Sequence, residues 1–189
     1  VSDIGPLREH MLELDSENLR IILAKENLLT IEFGKLKVKS IMNTWLKHLY
    51  VCAYDKYPRK TIIISRGSSS KDQNKYQKSL EFNPLRKEEA QLILNKLSLV
   101  VEQGLINCWP IPPESGWEFY MAKFSNKSNC DSVFKKRWEG GYMISGERNK
   151  EEMQICFGEE CDSKIFLESK VFERCLYELY NPIFKSIKR

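Results

Sequence analysis

Histidine is nearly absent, with two in 189 residues, and that scarcity narrows the possible chemistry first. His10 and His48 stand far apart. The six cysteines, Cys52, Cys108, Cys130, Cys156, Cys161 and Cys175, form no Cys-x-x-Cys pair. A zinc site needs close thiol pairs with nearby imidazoles, so no metal or other cofactor is expected. Scattered cysteines read instead as reduced thiols of a cytoplasmic protein, several of them in the core. No apolar run approaches the roughly 18 residues of a membrane span, no secretory signal opens the chain, and no membrane partner is expected. Gly-x-Ser-x-Gly, the phosphate loop and Gly-x-Gly-x-x-Gly are all missing, which leaves ATP hydrolysis and dinucleotide chemistry without support. Neither charge sign dominates. A net charge of +4 implies solubility and weak attraction to polyanions, not nucleic-acid binding by itself.

What is present describes a globular domain. The composition is 42% hydrophobic and 30% charged, and the length suits one well-packed domain spanning residues 1–189. The chain opens Val1-Ser2-Asp3 without an initiator Met, which reads as a piece excised from a longer protein.

The organising stretch runs from Asn27 to Tyr54. Leu28, Leu29, Ile31 and Phe33 predict a strand, paired in a hairpin with Asn18–Ala24 across Lys25-Glu26-Asn27. A helix over Ile41–Tyr54 follows, capped by Ser40, with Met42, Trp45, Leu46, Leu49 and Ala53 on its buried face. Upstream, residues 1–14 read as an opening segment and short helix. Thr61–Ser65 is a β-branched run suited to a central strand buried on both faces. Residues 67–77 read as an exposed, mobile loop. Asn83-Pro84 predicts the start of a long helix ended by Gly104, with Leu85, Leu92, Ile93, Leu97, Val100 and Val101 inward. Trp109–Pro113 must be an extended connector. Short helices are expected at Trp117–Phe124 and Asp131–Trp138, and a last one over Phe166–Ile187 that Pro182 kinks or splits. The fold class is mixed α/β, with strands early and helices late.

Between the Leu28–Phe33 strand and the helix over Ile41–Tyr54 lie Lys35, Lys37 and Lys39. If the strand continues, period-two alternation puts all three ammonium groups on one face. Such a row is either a solvated strand face or a strip that meets phosphate. The order strand, basic strand, helix is that of metal-dependent nucleases of the restriction-enzyme type. These place an Asp on one strand and an acid-x-Lys on the next, so that two carboxylates hold Mg²⁺ and a lysine orients the attacking water. Here the acid-x-Lys position reads Lys35-Leu36-Lys37. Glu32 stands three residues from Lys35, on the opposite face, and Asp15 precedes the upstream strand. A lysine in the metal position repels Mg²⁺.

Weaker candidates remain. His48 reads as a surface or boundary histidine, since no nucleophile motif accompanies it. Lys135-Lys136-Arg137-Trp138 reads as a helix with a solvated charged face and an inward Trp; its functional alternative is phosphate contact with base stacking. Arg66 is either a sheet-end charge or a further phosphate contact. Trp117, Tyr120 and Trp138 are the candidate aromatic contacts for a partner.

Six segments in order resemble one family. LLTIEFGKLKVKSIMNTWLKHLYVCA, TIII, EEAQLIL and EQGLINCWPIPPESGWEFYMA are followed by the pair RWEGGYMISGERNKEE and FERCLYELYNPIF. Together they resemble the C-terminal domain of RecC, the gamma subunit of exodeoxyribonuclease V, over roughly Asn27 to Phe184. The resemblance implies a restriction-endonuclease-like fold, of PD-(D/E)xK type with additional helices, that has lost its catalytic acids. It implies a non-catalytic part of a helicase–nuclease that processes double-strand breaks, holding and splitting DNA and contacting RecD-like and RecB-like helicase subunits. Glu32, Lys35 and Lys37 would then mark the vestigial site. Lys35, Lys37, Lys39, Arg66, Lys135, Lys136 and Arg137 would be the DNA contacts. The rivals are a protein-docking module without DNA contact and an active Mg²⁺ nuclease using Asp15 and Glu32.

Overall fold

The computed structural model describes residues 6–13, 18–67, 77–125 and 128–188. Among these it is a mixed α/β protein with a five-stranded sheet, a two-stranded hairpin and seven α-helices. The chain divides into two compact units, Val1–Ser98 with Ile183–Arg189, and Leu99–Pro182. No helix among the described residues is long and apolar enough to cross a membrane.

The first unit is built on the sheet, in the order β1-β2-β3-β4-β5. β1 (Leu7–Glu13), β2 (Asn18–Ala24) and β3 (Asn27–Lys35) form an antiparallel meander. The β2–β3 turn falls at Lys25-Glu26, where Lys25 takes a left-handed φ of 54°. The helix expected near the amino end is thus strand β1, since pairing along the whole of β2 outweighs its weak helical spacing. Helix α1 (Val38–Tyr54) crosses over to β4 (Thr61–Arg66), which lies parallel to β3. β4 is an inner strand, paired with β3 on one side and β5 on the other, as its β-branched run requires. Its burial nevertheless alternates, with Thr61, Ile63 and Ser65 buried and Ile62 and Ile64 half-buried.

Thr61, Ile63 and Ser65 share a face with Leu28 and Phe82, and α1 covers it. Val51 packs with Ile21, Leu23 and Leu28, while Trp45 and His48 stack at 5.3 Å and each sits against Phe82. The helix begins at Val38 and has Lys37 as its N-cap, without a side-chain cap bond from Ser40. Its buried face is turned from the expected one: Ile41, Thr44 and His48 are inside and Leu46 is exposed. Arg59 ties the α1–β4 connection to the β2–β3 turn, pairing with Asp55 at 2.6 Å and Glu26 at 2.8 Å.

β5 (Gln77–Phe82) is a strand that the sequence did not reveal, antiparallel to β4. The expected loop over residues 67–77 otherwise lies largely outside the described residues. Asn83 does not cap a helix; its N–H donates to the Ser186 carbonyl, extending the β5 edge, and α2 (Lys87–Ile106) starts later. Gly104 lies within α2 and does not end it. Leu92 and Val101, expected inward, are exposed, and Ala90 is the one fully buried position of this helix.

The second unit is helical. It comprises α3 (Pro113–Phe124), α4 (Cys130–Glu139), the hairpin β6–β7 (Gly140–Gly141 and Ile144–Ser145), α5 (Glu151–Phe157), α6 (Lys164–Leu167) and most of α7 (Lys170–Ser186). Trp109–Pro112 is neither helix nor strand, as expected, but it turns at Pro110, where the Ile111 N–H donates to the Trp109 carbonyl at 2.7 Å; Pro113 then opens α3, a position where its missing N–H costs nothing. Pro182 lies inside α7 without splitting it. The core is aromatic: Trp138 meets Phe166 at 4.9 Å, Phe134 meets Phe172 at 5.3 Å, and Phe119 joins both Phe134 and Phe172.

Candidate nucleic-acid interface

β3 and β4 are parallel, and their carboxyl ends carry Lys35 and Arg66. The register sets these two residues opposite one another. Ligands of α/β sheets gather at such carboxyl ends, where the chain turns into the following elements. Lys37 and Lys39 follow directly, the first as N-cap of α1 and the second in its first turn. The three lysines do not form a strand face, because β3 stops at Lys35 and the helix takes over at Val38. They remain together all the same, exposed at the end of the sheet beside Arg66.

No acid occupies the first turn of α1. Among the described residues, none of Lys35, Lys37, Lys39 or Arg66 forms an ion pair. Cations at a helix amino end oppose the helix dipole, whose partial positive charge lies at the same end. The field there is thus positive from three sources: lysine, arginine and unpaired backbone N–H groups.

Of the two candidate acids only Glu32 is described, and it does not meet Lys35. Glu32 registers against Ser65, and Lys35 against Arg66, with an irregularity in β3 between the two. Ser65 and Arg66 are neighbours on β4 and point to opposite faces. Glu32 and Lys35 are accordingly held apart. Asp15 lies outside the described residues. Among those described, no three His, Cys, Asp or Glu side chains come together in an arrangement fit for a metal ion.

The second basic cluster divides. Lys135 and Lys136 are exposed on α4, but Arg137 turns inward and pairs with Glu114, with Glu118 at 3.7 Å. Trp117, Tyr120 and Trp138 are core residues, not surface contacts. Trp117 stands edge-on to Tyr180 at 5.3 Å. The Tyr120 hydroxyl bonds to Asn181 Oδ1 at 3.4 Å. Trp138 is fully enclosed, and its indole N–H donates to the Cys161 carbonyl at 3.0 Å. Each aromatic had a larger apolar area to bury than its polar handle could hold at the surface.

His48 also differs from expectation: it is fully buried. Its Nδ1 lies 2.8 Å from Thr61 Oγ1, with Cys52 Sγ 3.7 Å from Nε2. Burial lowers its pKa to about 4, against a smaller upward effect from the Asn83 backbone. A neutral imidazole enclosed in this way joins α1 to β4 and reaches no substrate.

Two features were not visible in the sequence. β2 and β3 pair only at Leu23–Leu28 and Ala24–Asn27. Beyond these pairs lies a cavity of about 470 Å³, lined by Leu7, Ile22, Leu29, Ile31, Phe33 and Lys47. Leu7, Met11, Ile22, Ile31 and Phe33 are exposed on or beside it. In the second unit, Glu147 is buried and receives the Glu114 and Ser115 N–H groups at 2.9 and 2.6 Å. The preceding glycines bring it there. A Cβ on Gly146 would lie 2.3 Å from the Trp138 carbonyl oxygen, and Gly140, at φ +82°, crosses just as close to Ile144. The signal was present in WEGGYMISGER, but pattern alone does not reveal what a carboxylate faces.

A model of the RecC C-terminal domain family matches residues 4–124. The match covers the whole sheet and runs through α3. It begins upstream of Asn27 and stops short of the two closing segments whose likeness was noted in the sequence. No curated protein matches the chain.

Proposed function

The chain belongs to the RecC C-terminal domain family, and from that premise we propose that it is a nuclease-like domain without nuclease chemistry, one that handles DNA and docks helicase subunits. The family is part of the RecC subunit of the RecBCD helicase–nuclease, exodeoxyribonuclease V, which acts in recombinational repair. The observation that carries the DNA reading is the convergence of Lys35, Lys37, Lys39 and Arg66 at the carboxyl end of β3–β4, none of them in an ion pair among the described residues. An exposed, unpaired cationic cluster suits phosphate, which lies along DNA at every nucleotide whatever the sequence. The antiparallel meander followed by a helical crossover to a parallel strand supports the restriction-endonuclease-like reading. Lysine at the acid-x-Lys position, and the separation of Glu32 from Lys35, support the loss of catalysis.

The docking role rests on a different surface. Leu7, Met11, Ile22, Ile31 and Phe33 leave an apolar sheet region exposed around the β2–β3 cavity. Exposed patches of this kind mark contacts with other proteins. RecD-like and RecB-like helicase subunits are the partners that the family context supplies.

The test is the anisotropy of a labelled forked DNA, titrated with the protein at several salt concentrations. Binding whose logarithmic affinity falls with log salt by about 0.7–0.9 per neutralised phosphate supports DNA handling. Absence of binding at low salt leaves docking as the role. Mg²⁺-dependent cleavage abolished by Glu32→Ala would instead establish an active nuclease.

A further inference from the structure

β2 and β3 part after the Leu23–Leu28 pair, and beyond it no pairing on that side of β3 occurs among the described residues. β2 meanwhile stays paired with β1 as far as Asn18. The Leu28 N–H donates to the Lys60 carbonyl at 2.9 Å, towards β4, and the register with β4 is unbroken from Leu28 to Glu32. Strand alternation sends the N–H and C=O of Thr30 the same way, and those of Leu29 and Ile31 towards the gap that β2 leaves.

The cavity of about 470 Å³ lies along this open edge and is lined from both faces of the sheet. Leu28 packs on α1, and Thr30, on the same face, meets the cavity together with Lys47 of α1. Ile22, Ile31 and Phe33 meet it from the opposite face. A cavity lined from both faces is a slot in the plane of the sheet, the shape of a missing strand. We propose that it receives a β-strand from another polypeptide, laid along β3, in which apolar side chains alternate with acidic ones. This mode of binding rests on the docking role proposed above.

The two walls of the slot dictate the alternation, because successive side chains of an added strand point to opposite faces. One set meets Ile22, Ile31 and Phe33, and Phe33 is 94% exposed. The other set meets Thr30 and Lys47. Lys47 has no ion pair among the described residues, and α1 contains neither Asp nor Glu. A partner carboxylate therefore finds an uncompensated cation. The Leu29 and Ile31 main chains supply the bonds by which an added strand is held. Open strand edges are liabilities that folded proteins cover.

The protein is titrated in turn with purified RecD-like and RecB-like helicase subunits, and residue-resolved hydrogen exchange is compared between free and bound forms. The Leu29 and Ile31 amides should slow by about tenfold or more on binding, whereas those of Leu28 and Thr30, already bonded to β4, should change little. Phe33→Ser and Lys47→Glu should each weaken binding by about tenfold. Both side chains are exposed, so the melting temperature should hold. Binding with the Leu29 and Ile31 amides unchanged would overturn strand addition and leave docking intact; binding of neither subunit would overturn both. Full affinity in Lys47→Glu would overturn the acidic alternation. The same protection without any subunit, growing with protein concentration, would give the slot to a second copy of the chain and overturn the assignment to a partner.

Discussion

The Glu147 carboxylate sits against the first turn of α3, its Oε2 accepting the Ser115 N–H at 2.6 Å while Oε1 accepts that of Glu114 at 2.9 Å. The first N–H groups of a helix have no partner within it. Pro112, the N-cap, offers no side-chain acceptor. A residue more than thirty positions later supplies both bonds, and its negative charge meets the positive end of the helix dipole. Glu147→Gln should keep the shape, lose the charge and set an amide NH₂ against a donor. A loss of about 1–3 kcal/mol is expected, read as a lower urea midpoint with an unchanged slope. An unchanged midpoint would show that the helix end is satisfied in another way.

Gly146 delivers that glutamate. A methyl group there would collide with backbone, not with a yielding side chain. Gly146→Ala should therefore destabilise the protein at least as much as Glu147→Gln, while Gly141→Ala, with open space around it, should cost little. Thermal melts of the two alanine variants provide the comparison.

Trp138 distinguishes core from contact. If it stacked on bases, Trp138→Ala would weaken DNA binding and spare stability. Fully enclosed as it is, its replacement should cost about 3–5 kcal/mol, and Trp138→Phe should cost less while still orphaning the Cys161 carbonyl. Denaturant titration beside DNA anisotropy separates the two roles.

His48 gives stability a pH dependence whose sign is fixed. Its folded pKa of about 4 lies below the ordinary 6.5, so between these values the unfolded chain binds the extra proton. The stabilisation is complete above about pH 6.5 and is lost as pH falls towards 4. It can reach about 3 kcal/mol. His48→Gln should flatten the fall in melting temperature between pH 6.5 and 4; an equally steep fall in the variant would assign it to other groups.

For the basic end of the sheet, Lys35→Ala with Arg66→Ala should lower the salt slope of DNA binding by up to about 1.4–1.8. Lys135→Ala with Lys136→Ala tests the separate α4 cluster. Arg137→Ala should act chiefly on stability, because Arg137 already pairs with Glu114.

Local pattern carried a good part of the architecture. The β2–β3 hairpin, the inner strand β4 and the irregular Trp-Pro connector follow from β-branched runs, a turn and prolines, each a property of neighbours in sequence. β1 and β5 did not show. Leu7–Glu13 and Gln77–Phe82 have little strand character of their own and are strands because β2 and β4 offer edges to pair with. Helix ends slipped for a related reason: Asn83 has the residue type of a cap, but its N–H is taken by Ser186.

At the candidate site, sequence alone determined the run Lys35-Leu36-Lys37 with Lys39 beyond it, and that no nucleophile or nucleotide motif is present. These are matters of residue identity and spacing. Only the tertiary structure decided which charges and rings meet. The β3–β4 register set Arg66 beside Lys35, the packing of the second unit enclosed Trp117, Tyr120 and Trp138, and the glycine hairpin carried Glu147 to the start of α3. Such pairings depend on contacts between distant parts of the chain, made when apolar surface is buried, and a linear pattern carries no record of them.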